Sequence, residues 1–264
     1  KHGQKYLHGI GLDLKKSESQ NFPDNKKLNE AFPNIPVVLE GIDRHFILAN
    51  DKALEMARID KLTKIDGGKI LIHKGELSGI LTDNAIKLLD RIKPEFSREK
   101  QIQALIHAQD ICFQNGLTTV DQDGISKNKI LLIDSLQRKK LISIRIYAMI
   151  ENDFESMDYF FKKGGIKNEL LNVNSVEVNI DGVLSSRGAA LKENYNDFPQ
   201  YNKPLIMSRD SLNSVANLLF ENSFQMNALA FRDAATEMVL DTYNSLLSDS
   251  DDPRWRIEHI NFIS

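Results

Sequence analysis

The spacing of apolar residues changes character near residue 97. Beyond it, stretches with a helical period alternate with short apolar runs, which is the pattern of repeated β-α units wound around a parallel sheet. Ser97 is placed to cap a helix in which Ile102, Leu105, Ile106 and Ile111 recur near a 3.6-residue spacing, and Asn115-Gly116 ends it. Residues 117–120 then read as a buried strand. The same alternation predicts helix 127–139 before strand 141–148, helix 153–163 before strand 173–180, helix 208–222 before strand 224–231, and helix 234–247 before strand 255–260. Five β units follow one another in this way.

Residues 1–96 lack that rhythm. Pro23, Pro33 and Pro36 punctuate a loop-rich stretch, and Asp66-Gly67-Gly68 and Lys74-Gly75-Glu76 read as a turn and a hairpin flanking 69–73. The expected organisation is the start of a barrel over 1–19, a loop-rich insertion or cap over 20–96, and β/α barrel units over 97–264. Periodicity alone leaves a doubly wound sheet and an eight-fold barrel both open. No Gly-x-Gly-x-x-Gly follows a strand and no Gly-x4-Gly-Lys-Ser/Thr is present, so the nucleotide signatures of the doubly wound class are missing. The predicted fold is therefore α/β, a TIM-type (β/α)8 barrel incomplete in this chain. Chemistry in such barrels sits where strands end.

Composition narrows the partners. Among 264 residues, 34 Lys plus Arg face 37 Asp plus Glu, a net charge of −3 that offers no field to draw in nucleic acid or an anionic membrane. The single cysteine, Cys112, cannot form an internal disulfide, so a cytoplasmic protein is expected. The longest apolar runs, 35–39 and 70–72, fall far short of the roughly 18 to 20 residues a spanning helix needs. Residues 1–6 have neither an apolar core nor a small-residue cleavage site, so no secretory signal is expected there. A small-molecule substrate is the expected partner, and an oligomer of identical chains is left open.

Two segments carry polar chemistry at strand ends. Glu177 lies in an otherwise apolar strand, where an unpaired buried charge is costly, so it is exposed, paired, or facing a cation. The strand runs into Asp181-Gly-Val-Leu-Ser-Ser-Arg-Gly-Ala-Ala-Leu191, whose small residues and Arg187 suit an anion or a carbonyl. In Arg256-Ile-Glu-His259, strand alternation places Ile257 and His259 on one face and Arg256, Glu258 and Ile260 on the other.

Taken in order, several segments resemble the amidohydrolase superfamily, specifically its amidohydrolase-3 branch of broad metal-dependent hydrolases such as N-substituted formamide deformylases. They are 36–39 with Asp43-x-His45 and 49–54, then 67–70, 116–120, 181–191, Asp233-x-Ala235 with 239–241, and 256–259. The resemblance implies a barrel whose divalent ions, usually zinc, activate a water that attacks an amide or related carbon. Matched position by position, His259 is the family's last strand histidine, and Glu177 falls where a carboxylated lysine usually stands; both are implied metal ligands. His45 matches a loop histidine near the substrate, with Arg187 and Asp181 as further substrate contacts.

The chain also departs from that pattern. Leu229 replaces a strand histidine, Gln4 and Tyr6 fall where a His-x-His pair is expected, with His2 and His8 out of register, and Arg44 and Arg232 replace motif glycines. The sequence jumps between motifs near 19–22 and stops soon after His259, as a trimmed or gapped record of a longer chain would. With only His259 and Glu177 in register, the expectation is that this chain holds no divalent ion tightly. A catalytically inactive barrel of the same descent, kept for binding, is the alternative.

Overall fold

The computed structural model describes residues 6–13, 23–183, 188–196, 205–248 and 252–261. The chain divides into two compact units, one built from 1–95 and 181–206 and the other from 96–180 and 207–264.

In the first unit, β1 (Leu7–Leu12), β2 (Val37–Gly41), β3 (Phe46–Ala49), β4 (Gly68–His73) and β5 (Glu76–Asp83) form one sheet in the order β1-β2-β3-β5-β4. β1 runs parallel to β2, and the remaining pairs are antiparallel. Helices α1 (Lys26–Ala31) and α2 (Asp51–Ala57) and a 3₁₀ segment (Asn84–Arg91) complete it. Val38, Ile47, Ala53, Leu54, Leu81 and Leu89 make its core. The stretch expected to be loop-rich is thus substantially sheet, its short strands carrying apolar runs such as 37–39, 46–49 and 70–72. The hairpin expected around Lys74-Gly75 is present, with both residues in the left-handed region that such a turn requires.

Asn50 anchors this unit. It is fully buried and caps α2 through an oxygen that accepts from the N–H groups of Ala53 and Val37, while its amide donates to the carbonyls of Phe32 and Ile35. One side chain thereby closes four backbone groups that would otherwise be orphaned.

The second unit follows the β-α rhythm. Its elements are α3 (Arg98–Gln114), β6 (Thr119–Ile125), α4 (Lys127–Arg138), β7 (Arg145–Glu151), α5 (Phe154–Lys163), β8 (Ile166–Lys167), β9 (Leu171–Asn179), α6 (Arg209–Glu221), β10 (Gln225–Leu229), α7 (Asp233–Leu247) and β11 (Arg256–Glu258). Ser97, Asp153 and Ser208 cap their helices with side-chain oxygens that accept from Lys100, Ser156 and Ser211 N–H. Helix α4 packs on β7 and α6 on β10, burying Ile130, Ile133, Leu136, Leu212, Ala216 and Leu219 over Ile146, Ala148, Ile150, Val176, Val178, Met226 and Ala228.

The main sheet runs β11-β10-β9-β7-β6, all parallel and in chain order, with only β8 antiparallel on β9. A doubly wound sheet reverses its strand order at a switch point, and this one does not. The winding is that of a barrel sector of five strands; an eight-stranded closed barrel is not formed among the described residues. Residues 117–120 are not a buried strand: β6 is an edge, α3 contributes no buried residue beside it, and Thr119, Asp121, Gln122 and Asp123 are exposed.

Candidate metal centre

Parallel pairing brings the carboxyl ends of all five strands to one edge of the sheet. The register sets Asn227 beside Arg256 and Glu177, and Leu229 beside Glu258 and Asn179, so these residues share the face turned away from the helices. That face is polar. Arg256 lies over the Tyr147 ring at 4.8 Å, pairs with Glu258 at 2.6 Å and reaches Asp121 on β6 at 3.4 Å. A guanidinium can only donate, so the Asn227 amide turns its oxygen to Arg256 Nη2, at 3.0 Å.

Glu177 is buried on this face. Its Oε2 accepts from the N–H of Gly124 and its Oε1 from Asn179 Nδ2 at 3.1 Å. Gly124 sits where the β6–β7 register shifts, and a Cβ there would stand 2.7 Å from Glu177 Oε2, so a larger residue would push the carboxylate away from this N–H. Burial, then the nearby Asp123 and Glu258 carboxylates, push the Glu177 carboxyl above its ordinary value against the lowering effect of its two hydrogen bonds.

Asp123, Glu258 and His259 converge beside it, with one ligand atom from each lying within 4.8 Å of the others. His259 departs from the expected alternation. β11 ends at Glu258, and His259 takes φ +63°, a left-handed conformation that breaks the two-residue period and returns its ring towards Glu258. The ring stacks on Phe231 at 5.2 Å, and the N–H groups of Ala230 and Asn261 donate to the carbonyls of Glu258 and Phe231 on either side.

Where the sequence offered His259 and Glu177 as the two ligands in register, the structure brings Asp123 and Glu258 to His259. Asp123 and Glu258 were not anticipated: Asp123 lies in a polar run taken to follow a strand, and Glu258 had been set on the face opposite His259. The polar run Asp121-Gln-Asp-Gly124 at a strand end was the available signal. Glu177 lies beside the converging set but is not one of its three members. Leu229, in the position matched to a strand histidine, is an apolar side chain in register with Glu258.

The substrate candidates fall in the other unit. His45 Nδ1 meets Asp83 Oδ1 at 3.2 Å, and the Asp83 N–H donates to the His45 carbonyl, so the two residues are tied at two points. The Asp83 side chain is 3% exposed, and a Cβ on Gly182 would come within 2.8 Å of its Oδ1, which places the start of the 181–190 loop against it. Asp181 is fully buried and its Oδ2 accepts from Ala190 N–H, bracing the loop. Arg187 and His2 lie outside the described residues.

Comparison with known proteins agrees with this architecture. A model described as "Amidohydrolase family" matches residues 1–264. "Protein LONG AFTER FAR-RED 3" of Arabidopsis thaliana is 29% identical over 259 residues, covering 92% of this chain and 44% of that protein. "Putative amidohydrolase YtcJ" of Bacillus subtilis (strain 168) is 26% identical over 242 residues, covering 89% of this chain and 45% of that protein. The chain thus spans less than half the length of these curated relatives. Among solved structures, an uncharacterized metal-dependent hydrolase from Pyrococcus horikoshii OT3 has a TM-score of 0.67 at 22% identity over 92% of this chain and 48% of its own. Another, from Pyrococcus furiosus, has a TM-score of 0.66 at 19% identity over 100% of this chain and 53% of its own. At these identities the likeness is one of fold.

Proposed function

The chain belongs to the amidohydrolase family, and from that premise we propose that it carries the metal-binding half of a hydrolase acting on carbon–nitrogen bonds of small molecules. The observation that supports this most directly is the convergence of Asp123, Glu258 and His259 at the carboxyl edge of a parallel sheet. One imidazole and two carboxylates suit a divalent cation such as zinc, and three protein ligands are what catalytic zinc sites typically use. The fit is electrostatic as well, because Glu177 adds a further carboxylate to the same neighbourhood. A bound divalent ion supplies a water of lowered pKa and polarises the scissile carbonyl.

The chain's own residues do the rest. Glu177, held by Gly124 and Asn179 and with its pKa raised by burial, is proposed as the group that exchanges a proton with the reacting atoms. The Gly124 backbone fixes that carboxylate without a side chain of its own intervening. Within the first unit, considered by itself, His45, oriented by Asp83, is proposed with Asp181 and Arg187 to contact polar groups of a small molecule. No helix among the described residues is long and apolar enough to cross a membrane.

Metal analysis of the purified protein tests the proposal before any substrate is known. About one divalent ion per chain is expected, lost in D123N and H259A, together with amine release from a panel of N-substituted amides. Metal content that is the same in wild type and both variants would overturn it. Leu229 favours a second reading, a binding protein of the same descent; metal that binds at these residues while every amide stays intact would select it.

A further inference from the structure

We propose that Arg256 is a built-in counter-cation of this centre, holding its carboxylates together before metal arrives and competing with the metal for Glu258. The proposal rests on the metal-binding reading above and concerns a residue outside the ligand set.

Three observations carry it. First, the place is crowded with negative charge: Asp123 and Glu258 belong to one converging set, Glu177 accepts from the N–H of Gly124 next to Asp123, and Asp121 meets the same guanidinium as Glu258. Like charges gathered at a half-buried site repel unless a cation is near. Second, Arg256 supplies that cation from both sides. Its Nη2 meets Glu258 Oε1 at 2.6 Å on its own strand, while its Nη1 meets Asp121 Oδ2 at 3.4 Å on β6. Third, the guanidinium is fixed. The Tyr147 ring lies 4.8 Å below it and the Asn227 oxygen accepts from Nη2 at 3.0 Å. Tyr147 is itself held, its hydroxyl donating to Gln225 Oε1 at 2.7 Å. A planar fork with five donors suits this arrangement, and a lysine could supply the charge but not the fork.

Glu258 therefore has two claimants. Its Oε1 already pairs with Arg256, and its carboxylate also belongs to the converging set with Asp123 and His259. A divalent ion entering that set must approach a fixed positive charge and share or take Glu258 from it. Repulsion between a divalent and a monovalent cation a few ångströms apart falls as 1/εr, so even in a largely hydrated site removing the guanidinium strengthens metal binding by roughly tenfold.

The test uses the full chain, stripped with EDTA, with Co2+ as probe. Binding is followed by the visible absorption of the bound Co2+ and by the fluorescence of the single tryptophan, Trp255, which adjoins Arg256. R256Q is expected to bind Co2+ about tenfold or more tightly while its metal-free form melts at a lower temperature than wild type. R256K, which keeps the charge without the fork, is expected to melt lower too but to bind Co2+ within about threefold of wild type. D121N, which frees the guanidinium to lean on Glu258, is expected to bind several-fold more weakly, and it gives a second reading should R256Q fail to fold. Co2+ affinity in R256Q equal to or weaker than that of wild type overturns the proposal, as does a failure of D121N to weaken binding. Absence of Co2+ binding in wild type and R256Q alike would remove the metal-centre reading and the proposal with it, whereas wild-type binding that R256Q does not tighten would overturn the proposal alone.

Discussion

Arg256 on β11 reaches Asp121 on β6, with 3.4 Å between Nη1 and Oδ2, although β11 and β6 are the two opposite edges of the five-stranded sheet. The same meeting of edges brings Asp123 of β6 to Glu258 and His259 at the end of β11. A sheet whose edges meet through side chains is strongly curved, and its concave face is the one that carries the polar row. Curvature therefore does what sequence proximity cannot: residues about 135 positions apart become one cluster. The site needs the twist and winding of consecutive parallel strands, and no single segment contains it.

Glu177 yields a prediction about pH. Burial and two neighbouring carboxylates raise its pKa in the folded chain. A group whose folded pKa lies above its unfolded value binds its proton more tightly when folded, so stability is lost as pH rises from the unfolded value through the folded one. E177Q removes that loss, since the amide can still accept from Gly124 N–H. In EDTA-treated protein the melting temperature of E177Q should exceed wild type by a margin that opens as pH rises through the carboxylate range and levels off once Glu177 is ionised in the folded chain. A difference that does not change with pH would show that the Glu177 charge is not under strain.

Arg44 yields one about backbone. It takes φ +62°, a conformation costing a side-chain-bearing residue roughly 1 to 2 kcal/mol, and its side chain pairs with Glu40 at 3.6 Å with the guanidinium largely exposed. An exposed pair of that kind contributes little. R44G should stabilise the protein by about 1 kcal/mol, after allowing for the extra freedom glycine has when unfolded. R44A is the control, because it removes the charge and keeps the Cβ. Urea midpoints that rank R44G no higher than R44A would mean the left-handed residue costs nothing there.

Asn50 yields the largest expected loss. N50A leaves the N–H groups of Val37 and Ala53 and the carbonyls of Phe32 and Ile35 without their partner in a fully buried place. Each orphaned group costs on the order of 1 kcal/mol or more, and the α2 cap is lost with them, so about 2 to 4 kcal/mol is expected. A loss below about 1 kcal/mol by chemical denaturation would show that water replaces the amide without difficulty.

How much of this was legible in the sequence depended on range. The cap at Ser97 was readable because a cap and its helix lie within four residues, and the five strands of the second unit emerged from local apolar runs. Burial of β6 was not readable, since an apolar start at 117–120 does not say that the strand is an edge. The strands β2 and β3 were passed over because runs of four or five residues are too short to show a period, whereas the turn at Lys74-Gly75 marked the β4–β5 hairpin. The site was half legible. Its histidine stood out, but the alternation rule separated His259 from Glu258, and only the left-handed φ at His259 restores them to one cluster. Asp123 needed the curvature of the sheet, which no local pattern encodes.

Leu229 offers the most direct gain. It is nearly buried, in register with Glu258 on one side and Asn179 on the other, and on the same face as the polar row. A histidine there would stand beside Glu258 and add a nitrogen donor to the set of Asp123, Glu258 and His259. L229H should therefore bind Co2+ at least tenfold more tightly, with a steeper fall below about pH 6.5, because an imidazole must lose its proton to ligate. The same change buries a polar ring in place of an apolar one, so the metal-free variant should be less stable by about 1 to 3 kcal/mol, recovered when metal is added. Co2+ titrations of wild type and L229H at pH 6 and pH 8, paired with melting curves, measure both effects. Equal affinities at both pH values would mean that position 229 does not face the metal centre, and the shared register with Glu258 would then be a feature of packing alone.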